Sequence, residues 1–243
     1  MKKADLVFIL IFCVIVTPFI PFSFLKEFQA NYLYNESHWI WTSFLKFALL
    51  ATMGEVIGLR IKAGVYLQKG FGLIPRMIVW GFLGLTIKIA FVVFAAGVPA
   101  LVEKYFYVTD AIMSMDKKIC PDYFAAADIG LGNARLLSAF FISFIMNLFY
   151  APVMMTFHKI TDFHIVKNGG TLSGFLKPIN FVDNFKDINW KMQWGFIFKK
   201  TIPFFWIPMQ TITFSVASEY RVVIAAFLGI VLGVLLSLAT PKQ

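Results

Sequence analysis

Five polar residues stand inside otherwise apolar stretches of this chain and are the ones that could do chemistry: Glu55, Arg76, Lys88, Asn147 and Gln210. An ionisable group within a membrane-spanning stretch is costly, so it indicates a functional site by default. A carboxylate and a guanidinium can form a gate or a structural pair, and an amine can favour anions along an aqueous path. Side-chain amides can line such a path or join two helices by hydrogen bonds. No catalytic residues are predicted, and a pore and a set of packing contacts both remain open.

A spacing of four residues puts several of these groups on one helix ridge. Arg76, Trp80, Gly84 and Lys88 recur every four residues, which aligns them along one side of a helix. If the stretch that contains Glu55 is an antiparallel neighbour, Glu55 and Arg76 lie at similar depth and can pair. Lys88 would then lie beyond the midplane, where it either bonds carbonyls and polar side chains of the bundle or lines an aqueous path.

The stretch that contains Glu55 also contains a cation, Lys46. Lys46 lies nine residues before Glu55, which places the two side chains on opposite faces of a helix. Only about 10 Å of helix separates Lys46 from Trp39, an aromatic anchor for the membrane interface. We therefore expect Lys46 to extend toward that interface. Glu55 follows Gly54 and precedes Gly58, so it belongs to a face of small residues.

Two further ridges predict close helix packing. One carries Asn147 near the middle of an apolar stretch, where it can hydrogen-bond across helices for about 1 kcal/mol; its members are Arg135, Ala139, Ser143, Asn147 and Ala151. The other lies in the last apolar stretch and, with Gly84, supplies the small residues that we expect at helix contacts: Ala225, Gly229, Gly233 and Ser237.

The stretch that contains Gln210 is semi-polar and interrupted by proline. Gln210 and Thr213 share a face, and Pro203 and Pro208 free backbone carbonyls. Interrupted helices of this kind border cavities in some membrane proteins and are plain packing features in others. Just before it, Trp190 and Trp194 are four residues apart and are followed by Lys199 and Lys200, a pattern that predicts a short amphipathic helix on the cytoplasmic face of the membrane.

These side chains need helices long enough to cross a membrane. The 243 residues are 59% hydrophobic and 14% charged, with 29 Phe, far from the composition of a soluble domain. We predict an all-α, polytopic membrane helix bundle that forms a single transmembrane domain over residues 1–243. Six apolar windows are long enough to be candidate spans: 6–24, 39–59, 73–97, 136–157, 202–217 and 222–239. Pro18 and Pro21 predict a kink or an early exit at the end of the first.

The lysines and arginines outside these windows predict the orientation. With six spans, thirteen of them fall on one side and six on the other, so both termini are expected on the cytoplasmic side. The start of the chain reads as an uncleaved anchor helix, because no small-x-small cleavage site follows it. We expect a bacterial inner membrane, with an organelle membrane as the alternative.

Other classes of protein find little support. The net charge of +9 is spread over loops that can face an anionic leaflet, so we expect no nucleic-acid partner. Cys13 and Cys120 predict neither a disulfide nor a metal site. The three histidines lie in or beside loops without paired acids, and no hydrolase or phosphate-binding motif is present. The expected partners are lipid and small solutes, and a homo-oligomer is compatible with the sequence.

Several motifs occur in the order typical of one known family. The C-terminal motif consists of Trp206, Gln210, Phe214, Tyr220 and Arg221. Three further motifs lie upstream of it: Gly54-Glu55, Arg76 and the apolar run that ends at Pro152. Over residues 48–239 the chain resembles the Mpv/PMP-type family of peroxisomal and mitochondrial inner-membrane proteins, as a distant, bacterial-type member. Pro208 stands one place later than the family pattern, and Thr213 replaces its Asn.

The resemblance implies a small helical membrane protein, proposed in that family to form a weakly selective channel for small solutes, without a cofactor. We therefore expect a channel whose ion preference is set by Lys88. A non-conducting membrane scaffold or assembly factor, in which every ridge is a packing face, is the alternative. A small secondary transporter is a second alternative, disfavoured because no internal repeat is visible.

Overall fold

The computed structural model describes residues 3–121, 123 and 129–239, and these form helices and turns without a β-strand. The all-α prediction is therefore confirmed for this part of the chain, while Lys2 and Lys242, which entered the charge count, lie outside it. We number the six longer α-helices α1 Lys3–Val16, α2 Trp39–Ala63, α3 Leu73–Phe106, α4 Ile129–Lys167, α5 Ile207–Ser215 and α6 Arg221–Ala239. A π-helix, Gln193–Trp206, runs directly into α5. Shorter helices connect these elements: Thr17–Phe19, Ser23–Leu25, Lys26–Phe28, Gln29–Leu33, Glu36–His38, Ala111–Met115, Leu172–Phe175, Phe181–Lys186 and Trp190–Met192.

Among the described residues, three helices are long and apolar enough to cross a membrane: α3, α4 and the first 18 residues of α6. A fourth candidate is a bent pair, Lys3–Phe19 with Ser23–Leu33, whose two parts meet at 66°. The predicted kink near Pro18 is thus present, since proline cannot donate the next helical hydrogen bond. Helix α2 has 25 residues but contains Lys46 and Glu55, and is not among the three. The remaining predicted spans stay predictions.

The predicted surface helix differs from the one observed. The α-helical part, Trp190–Met192, covers a single turn, and a π-helix of 14 residues follows it and includes the start of the predicted fifth span. In an α-helix the ring of Pro203 would clash with the carbonyl four residues earlier. A π-helix bonds each amide to the carbonyl five residues back, so that carbonyl is not the required acceptor. Pro203 is thus compatible with π-turns, but it does not by itself impose them, since Pro99 and Pro152 lie inside the α-helices α3 and α4.

The chain divides into two compact units. The first comprises Met1–Leu85, Asp162–Ile179 and Val222–Gln243, and the second comprises Thr86–Thr161 and Asn180–Arg221. Helices α3 and α4 contribute residues to both. The sequence predicted a single domain over residues 1–243 and no boundary at these points, and both long helices continue through them without a break.

In the first unit, α2 packs against α6 through small residues. A Cβ atom on Gly54 would lie 2.9 Å from the Cα of Ile230, and one on Gly233 would lie 3.0 Å from the carbonyl oxygen of Gly54. The Oγ of Ser237 lies where a Cβ on Gly58 would point. This is close backbone contact of the kind that small residues allow in membranes.

The rest of the predicted packing ridge has looser or different contacts. Gly229 faces Ala51 at ordinary van der Waals distance, 3.8 Å from a built Cβ to the Cβ of Ala51, and Ala225 is buried. Gly84 accommodates the ring of Phe47, which joins α3 to α2. The contact between Gly54 and α6 is therefore the one in which backbone meets backbone.

In the second unit, α4 packs against α5. The Oγ of Ser143 donates to the carbonyl of Ile207 at 2.8 Å, and Ala139 and Ile142 are fully buried on the same helix. The ring of Phe214, also fully buried, lies 4.9 Å from that of Phe91 on α3. Three elements thus share one apolar core.

Replacing Gly54 by alanine should destabilise the protein, whereas Gly97→Ala should not. The new methyl at position 54 meets backbone atoms that cannot rotate away, and such overpacking costs about 1–3 kcal/mol. Gly97 lies inside α3 with nothing within 4 Å of a built Cβ, so alanine there should stabilise by about 0.5–1 kcal/mol. Free energies of unfolding in detergent micelles measure both. Equal changes in the two variants would contradict the close contact between α2 and α6.

Candidate functional site

The first unit contains a charge cluster centred on Arg76, which we call the Arg76 cluster. The Nη1 of Arg76 donates to Glu55 at 2.5 Å and to Asp162 at 2.6 Å. The indole of Trp80 donates to the other oxygen of Glu55 at 2.7 Å. The pairing of Glu55 with Arg76 that the sequence predicted is confirmed. The sequence placed Arg76 and Trp80 on one ridge and Glu55 on the neighbouring helix. It did not predict that Asp162 joins them.

Local backbone geometry positions the Arg76 side chain at the start of α3. Its Nε donates to the carbonyl of Phe71 at 2.7 Å, and its guanidinium lies over the ring of Phe71, 4.8 Å from the ring centre. Gly72 has a φ of 72°, which a residue with a Cβ rarely adopts. A Cβ on Gly72 would also strike Ile165 of α4. The glycine therefore allows the chain to turn into α3 close to the helix that carries Asp162.

The Arg76 cluster is mostly but not fully sequestered. The side chains of Arg76, Glu55 and Asp162 are 11%, 18% and 16% exposed. One guanidinium balances two carboxylates, so the cluster carries a net charge of −1 if all three are ionised. Such a group can hold α2, α3 and α4 together, and it can act as a gate only if one of its bonds opens. Geometry alone therefore assigns it a bracing role.

The second unit contains a polar contact between Asn147 and Gln210. The Nδ2 of Asn147 donates to the Oε1 of Gln210 at 3.0 Å and to the carbonyl of Ser143 at 2.9 Å. Asn147 is fully buried, and its Oδ1 has no hydrogen-bond partner among the described residues. The structure thus brings together the two amides that the sequence singled out, on α4 and α5, and leaves one buried acceptor open.

The hydroxyls of α5 have a simpler role. Thr211, Thr213 and Ser215 each donate to the carbonyl four residues earlier in their own helix, at 2.8–2.9 Å. A hydroxyl turned back onto its helix is satisfied without water or a neighbouring helix. These residues explain how a semi-polar stretch can lie in an apolar setting, and they do not mark a path.

Lys88 lies near the middle of α3, about 22 Å along the helix from its first residue and about 27 Å from its last. Its side chain is half-buried. Within the described part of the chain, it makes no hydrogen bond and no ion pair. The other four candidate residues are joined in pairs, Glu55 with Arg76 and Asn147 with Gln210, whereas Lys88 is bonded to none of them.

Lys46 behaves differently from the expectation. It does extend toward the Trp39 end of α2, but it is buried, and its amine donates to the carbonyl of Leu33 at 2.7 Å. The ring of Tyr34 lies 4.8 Å from the amine nitrogen. The short helices before α2 fold over this end and provide a carbonyl and an aromatic ring where we expected lipid headgroups.

Two buried arginines, neither of them singled out as a site residue for its own chemistry, converge on the corner after α5. Arg135 of α4 donates to five backbone carbonyls, those of Ser114, Cys120, Pro121, Ser215 and Val216. Arg221 of α6 donates to the carbonyls of Phe214 and Val216, at 3.1 and 3.2 Å. Helix ends leave carbonyls without partners, and guanidinium groups supply several donors in a fixed plane. The two arginine side chains therefore supply the hydrogen-bond donors that the carbonyls of this corner need.

Arg135 could have been recognised from the sequence. It opens a four-residue ridge that runs into an apolar helix, and a charge in that position must be neutralised or bonded. Its partners are backbone carbonyls, however, and carbonyls leave no mark on residue types. Only the fold shows which ones it binds.

The remaining residues of the family-like motif are placed as follows. Pro152 lies inside α4, and the indole nitrogen of Trp206 is a buried donor with no hydrogen-bond partner among the described residues. Tyr220 is 44% exposed. Phe214 is the buried ring that contacts Phe91. The motif therefore marks the core and corner around α5.

Two ion pairs of the described residues lie outside the six predicted spans; one joins two turns, and the other joins α1 to α2. Lys117 donates to Glu219 at 2.8 Å. Burial alone raises the pKa of Glu219, but the hydrogen bond from Lys117 and other contacts outweigh it and hold that pKa below its ordinary value. Asp5 accepts from Arg60 and Tyr66 at 2.9 Å, which fastens the start of α1. Burial and the bond to Asp5 raise the pKa of Tyr66.

No family model, no curated protein and no solved structure matches this chain.

Replacing Arg76 by methionine should cost about 3 kcal/mol of stability, because Glu55 and Asp162 would be left facing each other without a cation. Arg60→Met is the matched control, since Arg60 pairs with Asp5 nearer to solvent and should cost less than about 1 kcal/mol. Adding Glu55→Gln and Asp162→Asn to the first variant should recover most of the loss. Unfolding in detergent micelles measures all of these variants. Similar losses for Arg76→Met and Arg60→Met would show that the cluster is worth no more than a surface pair.

The tether between Lys117 and Glu219 should depend on pH. A carboxyl whose pKa is lowered in the folded state adds stability above its unfolded pKa, and loses it as the pH falls through the folded value, here below about 4.5. At pH 6, Lys117→Gln should speed amide hydrogen exchange in residues 111–119 by about two- to fivefold, as expected of an exposed pair. At a pH below the folded pKa of Glu219 the variant should match wild type. The neighbouring Lys118→Gln is the control and should have no effect at either pH.

Proposed function

We propose that this chain is an integral membrane protein that forms a weakly selective channel for small solutes, with a preference for anions. The proposal includes six membrane spans, with α2 and the segment from the π-helix into α5 as the two less apolar ones. It also includes cytoplasmic termini, a bacterial inner membrane and distant kinship to the Mpv/PMP-type family.

One observation carries the proposal, the environment of Lys88. A charge in the middle of a membrane helix is stable only if water, an opposite charge or polar groups surround it. Among the described residues, Lys46 is bonded to a carbonyl, Arg76 to carboxylates, and Arg135 and Arg221 to carbonyls. Lys88 has no such partner there, and its side chain is half-buried. Access to water, and hence to dissolved anions, would satisfy it.

The buried oxygen of Asn147 adds support from the same unit. A buried acceptor without a partner costs about 1–3 kcal/mol, so a hydrogen-bond donor from outside the described chain would stabilise it. A water molecule or the polar group of a solute would serve. Asn147 and Gln210 are accordingly proposed to line or brace the path, and the Arg76 cluster to serve as a brace or gate.

A non-conducting scaffold is the second candidate, and specific contacts favour it. The small-residue ridge of α6 packs on the backbone of α2, and the hydroxyls of α5 bond to their own helix. Four of the five polar residues singled out above thus have a packing or bracing role available. Lys88 is the residue that this alternative does not account for.

The two candidates differ in conductance. The purified protein in planar bilayers should conduct, and a chloride salt gradient should give a reversal potential that indicates anion preference. Lys88→Gln should lower the anion-to-cation permeability ratio by about fivefold. A unit charge about 8 Å from a passing ion, in an effective dielectric of about 40, is worth about 1 kcal/mol.

Lys104→Gln is the control for this measurement. Lys104 is exposed near the end of the same helix and should leave the ratio within about twofold of wild type. Absence of conductance at every voltage and pH would reject the channel in favour of the scaffold. Conductance with an unchanged ratio in Lys88→Gln would reject the role given to Lys88.

A further inference from the structure

The π-helix has one buried face and one exposed face, and the number of residues per turn decides which residues lie on each. The amide of Ile207 donates to the carbonyl of Ile202, and the hydroxyl of Thr201 to that of Phe196, in both cases five residues back. With this bonding, residues four and five apart stack on one side. The buried residues Gln193, Thr201 and Ile202 lie on one face, eight or nine residues apart, which is two such turns.

The opposite face is exposed and combines cations with aromatic rings. We call it the basic aromatic face, and it consists of Lys191, Trp194, Lys199, Lys200 and Phe204. Trp194 and Phe204 are 57% and 80% exposed. At the 100° per residue of an α-helix, Lys199 would be rotated about 140° from Trp194. The π-turns therefore align Trp194, Lys199, Lys200 and Phe204 along one side, and Lys191 lies in the α-helical turn just before them. A reading of the sequence as one α-helix does not predict this alignment.

Charge on this face is of one sign. The sequence contains no aspartate or glutamate between Asp187 and Glu219, so no acid of the same segment neutralises the three lysines. Lys200 lies over the ring of Phe196, 6.0 Å from its centre, which leaves the amine available to an anion. The face is thus complementary to an anionic group.

The order of residues along the face matches the depth profile of a membrane leaflet. Lys199 and Lys200 immediately precede the apolar residues from Ile202 into α5, so they lie at one end of an apolar run. Tryptophan is enriched at the level of lipid headgroups, and lysine near an anionic leaflet is attracted to it. Phe204, beyond the lysines, is placed to contact acyl chains.

We propose that the basic aromatic face binds the headgroup of an anionic phospholipid. The lysine amines donate to the phosphate oxygens, Trp194 lies at headgroup level, and Phe204 contacts the acyl chain. A lipid combines an anion with an apolar tail, whereas free phosphate and nucleic acid offer no acyl chain to Phe204. This inference requires that the protein resides in a membrane, but it does not require that it conducts.

The test uses the full chain in phosphatidylcholine nanodiscs. Binding of fluorescently labelled phosphatidylglycerol, competed by unlabelled lipid, gives the relative affinity for the anionic headgroup. The double variant Lys199→Gln/Lys200→Gln should lower it by roughly twenty-five-fold, about fivefold for each lysine. Replacement of both by arginine should retain it within about threefold, because the charge remains.

The control removes two exposed lysines elsewhere. Lys62→Gln/Lys69→Gln makes the same change in net charge, outside the π-helix, and should lower the affinity by less than about threefold. Inorganic phosphate at millimolar concentration should not compete. If the two double variants lose affinity equally, or if phosphate or RNA competes as well as the lipid, the proposal is wrong. Lipid binding without conductance would support it while rejecting the channel.

Discussion

The fold depends on satisfying polar groups where water is scarce. In an apolar medium each backbone carbonyl without a partner costs several kcal/mol, so a chain can turn there only if side chains supply the missing donors. Arg135 supplies donors to five carbonyls from two stretches that are far apart in the chain. Arg221 bonds two carbonyls at the same corner. The corner after α5 exists because these two cations close it.

The same constraint explains the charges that the spans contain. Lys46 donates to the carbonyl of Leu33, where we had expected it to reach lipid headgroups. In the Arg76 cluster, one guanidinium pairs with two carboxylates. Each cation is bonded in a different way, yet each removes the cost of its own burial. The hydrogen bonds that these cationic side chains donate therefore explain how the spans can contain charges. Lys88 is informative because the described residues provide no acceptor for it.

Parts of this arrangement were predictable and parts were not. The helical class, the kink near Pro18 and the pairing of Glu55 with Arg76 follow from apolar length, proline chemistry and spacing. Asp162 was missed because hydropathy ends the predicted span at residue 157, whereas α4 continues to Lys167. The Arg135 contacts were missed because the partners are carbonyls, which every residue has. Close packing at Gly54 was expected, but the helix that packs there could not be known from residue types.

The π-helix shows most clearly what residue patterns leave open. Amphipathic character was visible between Trp190 and Lys200, but the rotation per residue was assumed to be that of an α-helix. With that rotation Trp194 and Lys199 lie on different sides, and the segment has no continuous cationic face. The segment is a π-helix, and its hydrogen bonds to the carbonyl five residues back align lysines and aromatic rings along one side. The turn size of this segment thus determines the chemistry of its surface, because it decides which residues are neighbours.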